Sequence, residues 1–173
     1  VIFKDNGIVN GLGKGGAIYV SAGTLNLDTT DGDIIFEGNN ASVGNAIYVE
    51  NGATINFKGT DNEITFDGDQ TIASDNSLNK LNVAGGNVNF ESDMSDFNGQ
   101  YTQTSGTVTV ANNFMNTQGT DNRITGGTFI LTEGAKLAPT NDSENSIHVN
   151  GNGSSGKPTI RFEKNSQSRL TDL

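Results

Sequence analysis

The sequence predicts an all-β fold, a solenoid of stacked coils of the β-helix kind with roughly six coils, and three observations carry that prediction. The chain repeats itself: GGAIYVSAGTLNLDTTDGDIIFEGN (residues 15–39) returns as GNAIYVENGATINFKGTDNEITFDGD (residues 44–69). Ile18 is echoed by Ile47, Leu25 by Ile55, Leu27 by Phe57 and Phe36 by Phe66, a period of 29 to 30 residues. Each copy also breaks into three short apolar runs, IYV, TLNL and DIIF against IYV, TINF and EITF, separated by Gly, Asn and Asp. One such coil has no partner for its inward face until another is laid on it. Finally, the composition suits a narrow core: of 173 residues 32% are hydrophobic, 23 are Gly and none is Trp. The mean hydropathy of -0.43 would also fit a disordered chain, but the ordered spacing of Ile, Val, Leu and Phe argues for structure. No helix start followed by an amphipathic run is present.

Residues 1–3 read as the third strand of a coil, echoed by residues 34–36 and 64–66 at offsets of 33 and 30. The linker of residues 4–15 carries Gly7, Gly11, Gly13 and Gly15 and is expected to round a corner. Its GLGKGG has no Ser or Thr after the Lys and lacks the spacing of a phosphate-binding loop. The first full coil takes residues 18–20, 24–27 and 34–36. Within it Leu25 and Leu27 share one face, Thr24 and Asn26 the other, the period-two pattern of a strand buried on one side. The next coil puts Ile55 and Phe57 inward and Thr54 and Asn56 outward, so Thr24 over Thr54 and Asn26 over Asn56 are predicted as outward ladders. Phe36 and Phe66 are expected to stack in the core, with Asn39 bonding the backbone of the turn that follows.

After residue 69 the period tightens. Residues 80–83 with 87–90, 101–104 with 107–110, and 123–125 with 128–131 recur at offsets near 20 and 21. Gly86, Gly106 and Gly127 stand before the second strand of each pair, where Gly23 and Gly52 stand in the earlier coils, so these coils keep the corner and lose an excursion. Residues 136–138, 146–149 and 158–162 continue the stack, joined by the Gly- and Ser-rich NGNGSSGK of residues 150–157. Pro139 and Pro158 suit strand edges or first strand positions, where no ladder N–H is needed. The whole of 1–173 is expected to be one segment of a longer protein, truncated at both ends, in three stretches: 1–69, 70–138 and the final coils of 139–173.

The formal charge is -10, and all of the excess lies in residues 1–100, since residues 101–173 hold equal numbers of acidic and basic groups. Such a field disfavours nucleic acid and anionic lipid as partners. Cysteine is absent, so disulfides and thiolate chemistry are excluded, and no apolar run is long enough to span a bilayer as a helix.

The period places Asp31 over Asp61 and Asp33 over Glu63, four carboxylates on two consecutive coils with Lys58 the nearest cation. Carboxylates stacked in this way bind a cation, raise their pKa values or stand apart in solvent, which makes these four the candidate metal ligands, with calcium the ion of choice. No nucleophile or acid–base constellation is found, and His148 reads as a surface residue. No catalytic residue and no other cofactor is expected.

FKDN, with Phe3 and Asn6, is followed by GGAI, with Gly16, Ala17 and Ile18. FEGN, with Phe36 and Asn39, is followed by GNAI, with Gly44, Ala46 and Ile47, and FEKN closes the series at Phe162 and Asn165. These pairs resemble the FxxN and GGA(I/L/V) repeats of bacterial polymorphic outer-membrane proteins, and YTQTSGTVTV and LNVAGGNVNF resemble the passenger coils of autotransporter adhesins. The resemblance is strongest over residues 1–69 and generic over 80–138. It departs at Asn45, where the motif has Gly, after Phe66, where Gly68 and Asp69 stand without the Asn, and after Asn165, where no GGA follows. It implies a right-handed parallel β-helix, exported across the outer membrane ahead of a C-terminal barrel and displayed at the bacterial cell surface. Its partner would be a receptor or matrix on a host or neighbouring cell, and its contact with membrane would run only through the barrel. The expected function is therefore an extracellular stalk or adhesive surface without catalysis. The alternatives are a fragment of a calcium-dependent polysaccharide lyase or hydrolase, and a self-associating structural element using its open coil edges.

Overall fold

The computed structural model describes residues 1–7, 13–114, 122–137, 147–150, 156–166 and 170–171. Residues 8–12 of the Gly-rich linker, the expected strand positions Ala138 and Ser146, Pro139, and residues 151–155 lie outside that set. The described residues are all β, without a helix. Strands β1 (Ile2–Lys4), β2 (Ile18–Val20), β3 (Thr24–Asp28) and β4 (Ile34–Glu37) open the chain. β5 (Ile47–Val49), β6 (Thr54–Lys58) and β7 (Glu63–Phe66) form the second copy of the long repeat, followed by β8 (Ile72–Ser74), β9 (Lys80–Phe90) and β10 (Gln100–Val110). Then come β11 (Asn113–Phe114), β12 (Asn122–Ile124), β13 (Thr128–Leu131), β14 (Lys136–Leu137), β15 (Ile147–Val149), β16 (Thr159–Phe162) and β17 (Leu170–Thr171).

The described strands pair in parallel along three paths. The first runs β1, β4, β7, the second half of β9, the second half of β10, β13 and β16. The second runs β3, β6, the first halves of β9 and β10, β12, β15 and β17. Because β9 and β10 serve both, the two paths join as one twelve-stranded sheet. A third path runs β2, β5 and β8.

The register is the one the repeat requires. Leu25 lies against Ile55, Leu27 against Phe57 and Phe36 against Phe66, so the three predicted stacks form. Alternation does the rest: in β6 Ile55 and Phe57 are fully buried while Thr54 and Asn56 are half-exposed. Strand spacing then fixes the aromatics in nearly parallel pairs. Phe3 and Phe36 sit 4.7 Å apart at 6°, and Phe36 and Phe66 4.8 Å apart at 4°. The column continues through Phe90, 5.2 Å from Phe66, to Phe114, 5.3 Å further. Each pair contributes about 0.5–1.5 kcal/mol beyond the area it buries.

Two features differ from the sequence reading. Residues 80–90 and 100–110 are single strands of 11 residues, where two strands and a turn were expected in each. The bend is made inside the strand by glycine: a Cβ on Gly106 would fall 2.5 Å from the Gly86 carbonyl oxygen, and one on Gly127 would fall 2.3 Å from that of Gly106. These stacked corners have no room for a side chain, so the backbones close up and the ladder survives the bend. Nor is the third path lost after residue 69. Beyond β8 the Ile72 N–H donates to Met94 Sδ at 3.3 Å, Met94 bridges to Phe114, and β11 pairs with β14 as a separate two-stranded sheet that sets Phe114 against Leu137. With only one or two inward residues per repeat, this path leaves no alternating pattern to read. Seven described strands stack on the first path.

Among the described residues β1, β3 and β16 each pair with one strand, β4, β6 and β13. Their inward residues are accordingly less covered: Phe3 and Leu25 are half-buried, and Phe162 is 48% exposed.

Candidate functional site

The motif residues build a polar corner. Two positions after Phe3, Phe36 and Phe66 the backbone is left-handed, at Asp5 (φ 53°), Gly38 (φ 63°) and Gly68 (φ 61°). The chain then reverses and carries the next polar side chain inward. Asn39 is 1% exposed and fully bonded. Its Oδ1 accepts from the Asn6 backbone N–H at 3.1 Å and from Asn6 Nδ2 at 2.8 Å, while its Nδ2 donates to the Phe3 carbonyl at 2.8 Å. That same Nδ2 reaches Gln70 Oε1 at 2.7 Å, and the Ser92 hydroxyl donates to the Gln70 carbonyl at 2.6 Å. Gln70 therefore fills the place left by the missing third Asn, one residue late and with a side chain one methylene longer.

The fourth motif shares the letters and not the geometry. At Phe162 the left-handed residue is Asn165 itself (φ 61°), and Asn165 is exposed.

In the paired motif, Gly15 and not Gly16 is the counterpart of Gly44, since Ile18 lies against Ile47 and both glycines have positive φ, 70° and 66°. The amides of Ala17 and Ile18 both donate to the Ala46 carbonyl, at 3.1 and 2.9 Å, and Ala46 and Ile47 are fully buried. Gly16 serves a close approach, because its Cβ would lie 2.2 Å from the Asn45 carbonyl oxygen. Asn45 departs from the motif without loss. Its N–H donates to Thr71 Oγ1 at 2.9 Å and its Nδ2 to the Asp69 carbonyl at 3.0 Å, tying one turn to the next.

The outward faces carry regular rows. Asn56 Nδ2 donates to Asn26 Oδ1 at 3.0 Å and Asn82 Nδ2 to Asn56 Oδ1 at 2.9 Å, so the predicted asparagine ladder forms and extends by one strand. A second row escaped the sequence reading. Tyr19 and Tyr48 stack at 5.9 Å and 4°, Lys14 Nζ lies 4.5 Å from the Tyr48 ring centre and 3.5 Å from Glu50 Oε2, and the Tyr19 hydroxyl donates to Glu50. Its signal was the tyrosine at the middle of both IYV runs.

Asp33 and Glu63 do neighbour each other, but Asp33 Oδ1 is engaged by the Glu63 backbone N–H at 2.9 Å. Partial burial, followed by the nearby charges of Asp33 and Glu91, holds the Glu63 carboxyl above its ordinary range. Asp31 and Asp61 are exposed, and Asp61 meets the next strand through its carbonyl, which accepts from Asn87 Nδ2 at 2.9 Å. Among the described residues no group of three or more His, Cys, Asp or Glu side chains is placed to hold a metal ion. His148 is half-buried on β15, in register with Arg123.

No family model, no curated protein and no solved structure matches the chain. The arrangement therefore speaks through its own chemistry, which is that of repeated hydrogen-bonding rows over a continuous apolar core.

Proposed function

We propose that this chain is an extracellular stalk or adhesin segment of a bacterial surface protein, wound as a right-handed parallel β-helix, and that it binds or spaces without turning over a substrate. The observation that carries the reading is the Asn26, Asn56, Asn82 ladder, a row of amides at strand spacing on the outer face of a stacked sheet. Such a row presents the same group again and again, which suits contact spread over several strands and lacks the singular geometry that catalysis requires. Right-handed winding is the sense that parallel crossover connections take in nearly all folds. Two supports come from the sequence: the acidic charge of residues 1–100 keeps a long exposed surface soluble, and the FxxN and GGAI pairs resemble those of displayed passengers. Anchoring would run through a barrel elsewhere in the protein, and the partner is a receptor or matrix on another cell.

The test is attachment of cells or matrix to the purified chain. Alanine at Asn26, Asn56 or Thr107 should each weaken it by a few tenths to about 1 kcal/mol without unfolding the protein. Removing residues 6–14 should leave most of the attachment in place. Complete loss on that deletion, with the β-rich circular dichroism retained, would move adhesion to the loop. New reducing or unsaturated ends from pectin, alginate or chitin oligomers in the presence of calcium, lost on Asp33→Asn, would replace the reading by a sugar-active enzyme.

A further inference from the structure

Six Asn–Gly pairs occur in the chain, and in three of them both residues are described: Asn6 with Gly7, Asn51 with Gly52, and Asn98 with Gly99. Such a pair is chemically labile, because the glycine nitrogen has no side chain beside it to hinder attack on the asparagine carboxamide. The fold treats the three differently. Asn98 is half-buried, with its backbone N–H held by Ser74 Oγ at 2.8 Å and its Nδ2 by the Ser74 carbonyl at 3.3 Å. Gly99 is buried, and a Cβ on it would fall 2.4 Å from the Asn79 carbonyl oxygen. Asn6 is clamped, since its N–H and its Nδ2 both donate to Oδ1 of the buried Asn39, and Gly7 bridges to Asn40. Asn51 is exposed, at a corner between β5 and β6 that the Ala53 N–H closes on the Glu50 carbonyl at 3.1 Å. Asn51 and Gly52 are both left-handed there, at φ 58° and 74°, and a Cβ on Gly52 would come no nearer than 3.7 Å to Leu78. Among the described residues the Gly52 N–H donates no hydrogen bond. Repeats flank the corner on both sides: Asn51 Nδ2 donates to the carbonyl of the exposed Ser21 at 2.9 Å, and its N–H to Asp75 Oδ2 at 3.4 Å.

We propose that Asn51 is a site of spontaneous covalent modification, converting to aspartate and isoaspartate through a cyclic imide with Gly52, and that the conversion unties two neighbouring repeats. The Gly52 nitrogen attacks Asn51 Cγ, so an N–Cγ bond forms, the Cγ–Nδ2 bond breaks, and the Gly52 proton leaves with Nδ2 as ammonia. Solvent water then opens the imide. Opening at Cγ gives aspartate, and opening at the Asn51 backbone carbonyl gives isoaspartate, whose main chain runs through Cγ and is one carbon longer. Nothing is oxidised or reduced. Either product exchanges the amide that donates to Ser21 for a carboxylate, beside Glu50, whose Oε1 lies 3.4 Å from Asn51 Nδ2, and beside Asp75. A bond between repeats becomes a repulsion. The inference rests on the geometry of this corner and not on adhesion, so either can fail alone.

Mass spectrometry of the folded chain aged in warm, mildly alkaline buffer reads the reaction directly. The mass should rise by about 1 Da per converted residue, and fragmentation should place the gain at Asn51 several-fold ahead of Asn6 and Asn98. In the chain unfolded by guanidinium the three should convert at similar rates, which separates protection by the fold from the dipeptide itself. Gly52→Ala should slow conversion at Asn51 several-fold. Asn51→Asp supplies a product without the reaction, and both it and the aged chain should melt below the native chain. No gain at Asn51, or conversion of Asn6 or Asn98 as fast as Asn51 in the folded chain, would overturn the site. An Asn51→Asp chain melting at or above the native temperature would overturn the loss of the tie between repeats.

Discussion

Asn39 and Gln70 form a closed pair of amides: Gln70 Oε1 accepts from both the Asn39 backbone N–H, at 3.2 Å, and Nδ2, at 2.7 Å, while Gln70 Nε2 donates to the Asn39 carbonyl at 3.0 Å. Both residues are buried. Gln70→Ala leaves the three groups on Asn39 with reduced bonding in a site water does not reach, and should cost about 1–3 kcal/mol. Gln70→Asn, one methylene short, should recover only part of that. A midpoint in chemical denaturation unchanged by the alanine would show that the corner is held by its backbone alone.

Phe57 is fully buried, lies in register between Leu27 and Val83, and packs 5.9 Å from Phe66 and 6.2 Å from Phe90. Phe57→Ala should cost about 3–5 kcal/mol as a cavity. Phe57→Asp should abolish the fold, because the charge has neither partner nor water within the core. Circular dichroism during a denaturant titration measures both, and a tolerated aspartate would mean that this face is wet.

Two glycines with the same φ of 79° separate conformation from packing. A Cβ on Gly134 meets nothing within 4 Å, whereas one on Gly127 falls 2.3 Å from the Gly106 carbonyl oxygen. Gly134→Ala should therefore cost only the left-handed penalty, about 1–2 kcal/mol, and Gly127→Ala clearly more. Equal losses in thermal midpoint would remove the close backbone approach as the reason for glycine at that corner.

Glu63 sets a pH dependence whose sign follows from its raised folded pKa. Between the ordinary Glu value and the raised one, the folded chain binds more protons than the unfolded chain, so stability falls as pH rises through that window. Glu63→Gln should be more stable than the native chain at neutral pH, and the difference should close once the pH drops below the ordinary Glu range. Thermal melts across that range decide it. A variant less stable at neutral pH would mean that the carboxylate is held by a favourable partner.

The parts of the fold legible in the sequence were those where alternation and period coincide. Leu25 with Ile55, Leu27 with Phe57, and Asn26 with Asn56 each announce an inward or outward side in both copies, so register and burial could be read together. The path through Ile72, Met94, Phe114 and Leu137 could not be read. One inward residue per repeat, of changing type, has no period of its own and is placed only by the two longer paths on either side. Gln70 was missed for a related reason. The corner demands an amide at a point in space, and the turn Asp67, Gly68, Asp69 reaches that point one residue later than Glu37 and Gly38 do. Asn165 shows the converse, where matching letters sit on a backbone that turns at a different residue.

Partners along the first path stand 20 to 33 residues apart, from Phe90 with Val110 to Phe3 with Phe36. The loop that must close to lay down each strand is thus about the same size at the first repeat as at the last, and closure entropy changes little over that range. Folding can begin at any adjacent pair and zip outward, each finished strand serving as the template for the next. The search time is then set by the length of a repeat and not by the length of the chain, so a protein many repeats longer would meet no slower step than this one does.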